Sequence, residues 1–291
     1  MNIIETKALT KSYGSSRGII DVDLTVKEGD FFGFIGPNGA GKSTTIRTLL
    51  GLISQTSGSA QIFGRNITSQ KEKILADIGY MPSEATFYGK MRVSEVIRLS
   101  ANLRGLDCSA EAKSLCERLE LDTGKRINEL SLGNRKKVSI VCALQHKPKL
   151  CVLDEPTSGL DPLMQKEFYN ILEERNREGA TIFLSSHILS EVQRYCKHAA
   201  VIREGRLLIS DSIEKLGHTD AKRVTVRGVD APPQIHNIRD IKVYNDSVSF
   251  LYSGSVNNLL QALCSIPLTD VNITEPDLEE IFMHYYEKEE K

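Results

Sequence analysis

Gly36-Pro37-Asn38-Gly39-Ala40-Gly41-Lys42-Ser43 fits the pattern G-x-x-x-x-G-K-[ST] at every fixed position. An apolar run, Asp30–Ile35, precedes it, and Lys42–Leu50, closed by Gly51, has the spacing of a helix. A strand, a glycine-rich turn and a helix N-terminus must therefore meet at one point, which confines the chain to a sheet-and-helix architecture. Glycines let the backbone wrap closely around oxygens and aim several N–H groups inward. The helix N-terminus adds partial positive charge. The ammonium of Lys42 is expected on the β- and γ-phosphates of a nucleoside triphosphate, and the Ser43 hydroxyl on Mg2+. Gly36, Pro37, Asn38, Gly39, Ala40, Gly41, Lys42, Ser43 and Thr44 form the expected phosphate-binding set.

Further along, Leu150-Cys151-Val152-Leu153-Asp154-Glu155 is an apolar run that ends in two carboxylates. A buried strand delivers its last residues to the carboxyl edge of a sheet, where nucleotides bind in open α/β folds. Asp154 is expected in the Mg2+ shell, and Glu155 is expected to orient or deprotonate an attacking water. A second short apolar run, Thr181–Ser185, follows a helical stretch, Leu163–Glu178, stopped at Gly179. This alternation implies a buried parallel sheet with helices on its faces.

The flanks differ. Ile3–Leu9 and Ile19–Val26 read as strands, Gly58–Ile67 as a hairpin, and Val201–Ile202 with Arg206–Ile209 as another. Between Glu84 and Gln145 only helical spacing is found, in Val93–Arg104, Ala110–Leu119 and Leu132–Leu144. A boundary is expected near Gly217–Ala221, giving domains 1–216 and 217–291. The second reads as a small α+β unit. Its strands are Arg223–Val226, Ile241–Tyr244, Val248–Tyr252 and Thr269–Ile273, its helices Val256–Ile266 and Asp277–Tyr286, and its charged tail Glu287–Lys291.

Composition removes several function classes. The 291 residues carry 37 Lys plus Arg against 38 Asp plus Glu, so no bulk basic excess favours nucleic acid, and none is expected as a partner. No run approaches the roughly 18 apolar residues of a spanning helix, and Glu5 and Lys7 interrupt the N-terminus too early for a secretory signal. Six cysteines without a C-x-x-C pair read as reduced thiols of a cytosolic protein, not as a zinc site.

Beyond these motifs, Leu130-Ser131-Leu132-Gly133-Asn134 resembles the signature of the ATP-binding-cassette (ABC) ATPases, usually Leu-Ser-Gly-Gly-Gln. Ser158-Gly159-Leu160-Asp161 is similar to their D-loop, and Gly79-Tyr80-Met81-Pro82-Ser83-Glu84 to their Q-loop. His187 matches their switch histidine and Tyr13 the aromatic that stacks on adenine. The resemblance covers about Met1–Ser210. It implies an α/β P-loop core with a mixed sheet, an antiparallel β subdomain and a helical subdomain over about 84–146, to which the reading of the residues adds the small C-terminal α+β domain. It also implies ATP and Mg2+ as cofactors, with Glu155 and His187 catalytic, His187 bonding the γ-phosphate or the water. The implied assembly is a head-to-tail dimer, of identical or paralogous subunits, with each ATP between one phosphate loop and the other chain's Ser131 and Gly133. Ser131 can also cap the helix beginning near Leu132, which agrees with an anion site there. In the same resemblance Asp161 organises the dimer contact.

Three positions depart from the family. Leu132 replaces a glycine, Asn134 a glutamine, and Ser83 the glutamine that senses Mg2+ and the water. Serine is too short for that contact directly, so a water or Glu84 substitutes. These changes bear on turnover more than on ATP binding.

The resemblance implies a detached energy-supplying subunit, cytoplasmic and peripheral to the inner face of the membrane, whose groove next to the Q-loop receives a short helix of a membrane-spanning permease. Glu275–Phe282 is similar to the ends of bacterial exporter ATPases for drugs, peptide antibiotics or polysaccharides, which favours export. The alternative is a soluble or regulatory ABC ATPase with weak hydrolysis and a non-transport partner. The C-terminal unit is either a dimer-stabilising or regulatory domain or a permease-docking surface. Lys42→Ala is expected to abolish nucleotide affinity. Equilibrium titration with a fluorescent ATP analogue checks this, and near-normal binding would remove the phosphate-loop reading.

Overall fold

Three short strands without an exposed residue, Phe31–Ile35, Leu150–Asp154 and Thr181–Ser186, form the centre of the larger unit. A strand buried on both faces reads as a continuous apolar run and needs cover on both sides. The computed structural model describes residues 1–14, 16–84, 86–217, 221–233 and 235–276. The expected helix Asp277–Tyr286 and the charged tail lie outside the described residues.

The central sheet has six strands in the order Arg206–Ser212, His198–Arg203, Phe31–Ile35, Thr181–Ser186, Leu150–Asp154, Ile78–Met81. The first pair is antiparallel, and every other neighbouring pair is parallel. The register aligns Ile35 with Ser186, Asp154 with Ser185, and Met81 with Leu153, so these strands end along one edge. Phe32 and Phe183 stack within the sheet core, ring centroids 5.8 Å apart. The helices Lys42–Leu49, Pro162–Arg177 and Leu189–Tyr195 follow the ends of central strands. The helices Val93–Asn102, Ser109–Arg118 and Leu132–Leu144 lie in sequence between Ile78–Met81 and Leu150–Asp154.

A second, antiparallel sheet is built on the long strand Asn2–Tyr13, which pairs with Ser16–Val22, Thr25–Lys27 and Ser57–Ile62. The expected strand Ile19–Val26 is thus two strands. Thr6 explains the break: its hydroxyl donates to the Val22 carbonyl at 2.6 Å and accepts from the Leu24 N–H at 2.7 Å. One side chain takes the place of ladder bonds where the backbone crosses over. Helix Lys71–Ala76 and strand Ile78–Met81 are also absent from the sequence reading. Both are too short for periodicity to register.

The chain divides into two compact units, Met1–Ser212 and Ile213–Lys291. The second contains an antiparallel sheet in the order Ile238–Tyr244, Ser247–Ser253, Ala221–Arg227, Asp270–Thr274. Alternation along its strands puts Val224, Val226, Val248 and Phe250 into one core with Leu259 and Leu263 of helix Val256–Cys264.

His146 sits at the seam of strand Ile78–Met81 and makes stability depend on pH. Its Nε2 lies 3.2 Å from the Ile78 carbonyl, and its Nδ1 is buried without a hydrogen-bond partner among the described residues. Arg104 donates to the carbonyls of Leu75, Ala76 and Ile78 at 3.0 to 3.3 Å, a cation beside the ring. Burial first, and Arg104 second, push the imidazole down to about 4. The unfolded chain therefore binds more protons than the folded chain between about pH 6.5 and that value, and stability falls as pH drops through the window. At pH 5 the loss is about 1–2 kcal/mol. His146→Gln is expected to flatten the decline in melting temperature between pH 7 and pH 5, and parallel profiles would exclude His146 as its source.

Candidate nucleotide site

The aligned ends of the central strands face the turn Gly36–Gly41. Gly39 and Gly41 have φ of 81° and 111°, which a side chain resists, and a Cβ on Gly36 would meet the Ile202 carbonyl at 2.4 Å. Pro37, Asn38 and Gly39 are exposed, and Ala40 is buried. Helix Lys42–Leu49 begins after Gly41 with no side-chain cap and no acidic residue in its first turn. Its leading N–H groups have no cap side chain to satisfy them, the condition under which a helix start accepts an anion. Ser43 and Thr44 are half-buried on that first turn.

Lys42 is buried, and its Nζ donates to the carbonyls of Gly36 and Pro37 and stands 3.0 Å from Glu155 Oε1. The lysine expected on phosphate thus spans the turn and the acidic strand end.

Asp154 is fully buried. One carboxylate oxygen accepts from the Ser185 hydroxyl at 2.6 Å, while the other, Oδ2, is buried with no hydrogen-bond partner among the described residues. A hard anionic oxygen with a free lone pair, on a strand packed by the helix that carries Ser43, supplies together with that hydroxyl the kind of donor set Mg2+ takes when phosphates and waters complete its octahedron. Among the described residues no group of three or more His, Cys, Asp and Glu could hold a metal alone. The residues thus fit an ion that arrives with phosphate. Behind Asp154, burial and the Asp154 charge raise the pKa of Tyr80, against an opposing hydrogen bond with Arg47.

Glu155 is the hub. Its φ of 48° lies in the left-handed region, a strain of about 1–3 kcal/mol for a residue with a side chain. Four neighbours hold it there. Its N–H donates to the carbonyl and hydroxyl of Ser185, both at 3.2 Å, and its carbonyl accepts from Lys136 Nζ at 2.9 Å. Its carboxylate reaches Lys42 through one oxygen and His187 Nδ1, at 2.7 Å, through the other. With a carboxylate as acceptor, Nδ1 of a neutral His187 carries the proton, and Nε2 becomes the acceptor. Lys42, Glu155 and His187 therefore form one chain of contacts.

Other expected residues lie apart from that chain. Ser131 caps helix Leu132–Leu144, accepting the Asn134 N–H at 3.3 Å. Gly133 abuts Gly159, whose carbonyl would lie 2.7 Å from a Cβ added there. Leu132 is 58% exposed and leans along Gly159. No hydrogen bond among the described residues joins Ser131 or Gly133 to Gly36–Thr44. Ser83 is half-buried, just beyond Met81 and the strand that neighbours Asp154. Tyr13 is 46% exposed with the Lys11 ammonium 5.2 Å from its ring centre, on a hairpin whose other strand brings Ile19 against Gly41. Asp161 caps helix Pro162–Arg177, accepting the Met164 N–H at 3.0 Å, a local role the sequence reading did not assign.

Lys136 and Ser185 are the functional-site residues that sequence reasoning missed. Lys136 stands in Arg135-Lys136-Lys137, which resembles a solvated helix face, yet it is 3% exposed. Ser185 ends an apolar run, and only the register with Asp154 reveals its use.

Comparison with known proteins identifies the family. The ABC transporter family model matches residues 19–158. The bacitracin transport ATP-binding protein BcrA of Bacillus licheniformis is 36% identical over 97% of this chain and 96% of its own length. A solved structure of an ATP-binding subunit of an ABC transporter superposes with a TM-score of 0.69 at 32% identity, covering 74% of this chain and 91% of that one. The dimeric structure of MJ0796, a bacterial ABC transporter cassette, gives 0.67 at 25% identity over 72% and 98%. The match with BcrA extends through the C-terminal unit, and the chain belongs to the ATP-binding proteins of the ABC transporter family.

Proposed function

We propose that this ABC ATPase hydrolyses ATP as a dimer to drive export through a separate membrane-spanning permease. The contact chain Lys42–Glu155–His187 at the phosphate loop carries the catalytic part of this reading. Lys42 and the loop amides bind and orient the β- and γ-phosphates. Ser43 and Asp154 would hold Mg2+, with Ser83 reaching it through water, and the ion neutralises phosphate charge when bound. Glu155 accepts a proton from the attacking water as its oxygen bonds to the γ-phosphorus. The bond from that phosphorus to the bridging oxygen breaks, leaving ADP and phosphate. His187 orients the Glu155 carboxylate and faces the γ-phosphate. Ser131 and Gly133 serve the nucleotide of the second subunit, Tyr13 the adenine.

The partner follows from a groove in the helical segment. A cavity of about 900 Å3 between helices Val93–Asn102 and Ser109–Arg118 is lined by Ile97, Ala101, Leu106, Ala112 and Cys116, with charged Arg98 and Asp107 beside them. It suits a short amphipathic helix of a permease, although its lining holds no residue of Gly79–Glu84, the stretch beside which the resemblance sets that groove. No helix among the described residues is long and apolar enough to cross a membrane, so the spanning part belongs to another chain in this reading, and the subunit sits at the cytoplasmic face. The relative named for bacitracin transport supports a drug or peptide antibiotic as cargo. Nothing in these observations favours a non-transport partner.

Glu155→Gln is expected to retain ATP binding, prolong the ATP-bound dimer and lower turnover about 100-fold or more, measured by phosphate release. Unchanged hydrolysis would overturn the assignment. Ala112→Asp is expected to release the protein from membranes of cells that also make its permease, and undiminished membrane recovery would exclude this groove as the docking site.

A further inference from the structure

We infer that Lys136 is a positioning residue for Glu155, tying the helix that starts at Ser131 to the water-activating carboxylate; this rests on the reading of Glu155 above. Lys136 is 3% exposed, a location that costs a cation several kcal/mol unless it is paired and hydrogen-bonded. Its Nζ donates to the Glu155 carbonyl at 2.9 Å, so this bond ends on the backbone of the proposed base. The carboxylates of Asp154, Glu155 and Glu84 surround it and offset the burial that lowers its pKa.

The geometry gives this bond a specific task. Glu155 occupies a left-handed conformation that persists only when its surroundings over-determine it. Ser185 holds the N–H before the Glu155 Cα, and Lys136 holds the carbonyl after it. Two anchors on either side of one Cα set the direction of its side chain. That direction places one carboxylate oxygen on Lys42 and the other on His187. Without the Lys136 anchor, the peptide after Glu155 is free to rotate toward an unstrained φ, and the carboxylate leaves its line between the two partners.

Lys136 also lies on the helix whose first turn carries Ser131 and Gly133. At about 1.5 Å of rise per residue, it stands roughly 7 Å along that helix from the cap. A displacement at the cap, such as an anion bound to Ser131 would produce, reaches Glu155 through one rigid helical segment and one hydrogen bond. No rearrangement of the central sheet is required.

Steady-state and single-turnover ATP hydrolysis of Lys136→Met, Lys136→Arg, Glu155→Gln and the Lys136→Met/Glu155→Gln double variant tests this, alongside nucleotide affinity and melting temperature. Lys136→Met is expected to lower kcat about 10-fold or more while KM and nucleotide affinity change less than about 3-fold. Lys136→Arg, which restores a donor, is expected to recover much of the rate. In the Glu155→Gln background, Lys136→Met is expected to cost nothing further, because the residue acts through Glu155. A kcat within 2-fold of the parent, or a full extra loss in the double variant, would overturn the proposal. If Lys136→Met does not fold, Lys136→Gln decides instead: it keeps a donor but lacks the reach, and parent-like turnover there would overturn it. Should Glu155→Gln itself retain turnover, the reading of the site fails, a result distinct from failure of Lys136 alone.

Discussion

Parallel pairing of Phe31–Ile35, Thr181–Ser186 and Leu150–Asp154 is the constraint on which the site depends. Parallel ladders leave no freedom in which ends meet: each strand brings its carboxyl end to the same edge. The register then places Ser185 beside Asp154 and the phosphate loop next along the edge. A slip of one residue in Leu150–Asp154 would turn Asp154 to the opposite face of the sheet and separate it from the Ser185 hydroxyl. The cost of so exact a register is met by burial, since all three strands lie inside the core.

On that edge the molecule keeps an unusual concentration of buried charge. Lys42, Lys136 and Asp154 are each at most 5% exposed, and Glu155 joins the two lysines. Mutual pairing is what makes such groups tolerable, and removing one leaves its neighbours uncompensated. Among the described residues Asp154 Oδ2 has no hydrogen-bond partner, and the helix start at Gly41 has no side-chain cap. Both are features that a bound phosphate with its cation would satisfy in the proposed function. Stability is spent here on chemistry, as the strained φ of Glu155 also indicates.

Much of this was legible in the sequence, and the misses are specific. The phosphate loop and Leu150–Glu155 were readable because each function needs particular residue types at fixed neighbouring positions. The small C-terminal sheet was readable in outline because its strands alternate buried and exposed residues. Strand Ile78–Met81 was not, because four residues cannot establish a period. The break at Asp23–Leu24 was invisible because it is made by the hydroxyl of Thr6, distant in sequence. At Leu132, the departure from the family's glycine is met by a side chain that leans along Gly159, a contact set by the fold.

By itself the sequence determined the local chemistry: a glycine-rich turn ahead of a lysine and serine, a strand closing on two carboxylates, a serine able to cap a helix. Those are short-range facts, dictated by backbone sterics and by which side chains carry charge or a hydroxyl. Only the tertiary structure decided which of these groups touch. The Lys42–Glu155–His187 contacts, the Ser185 bond to Asp154 and the Lys136 bond to Glu155 all join segments far apart along the chain. Sheet register and helix packing set such contacts, and both are properties of the folded core as a whole, not of any local pattern.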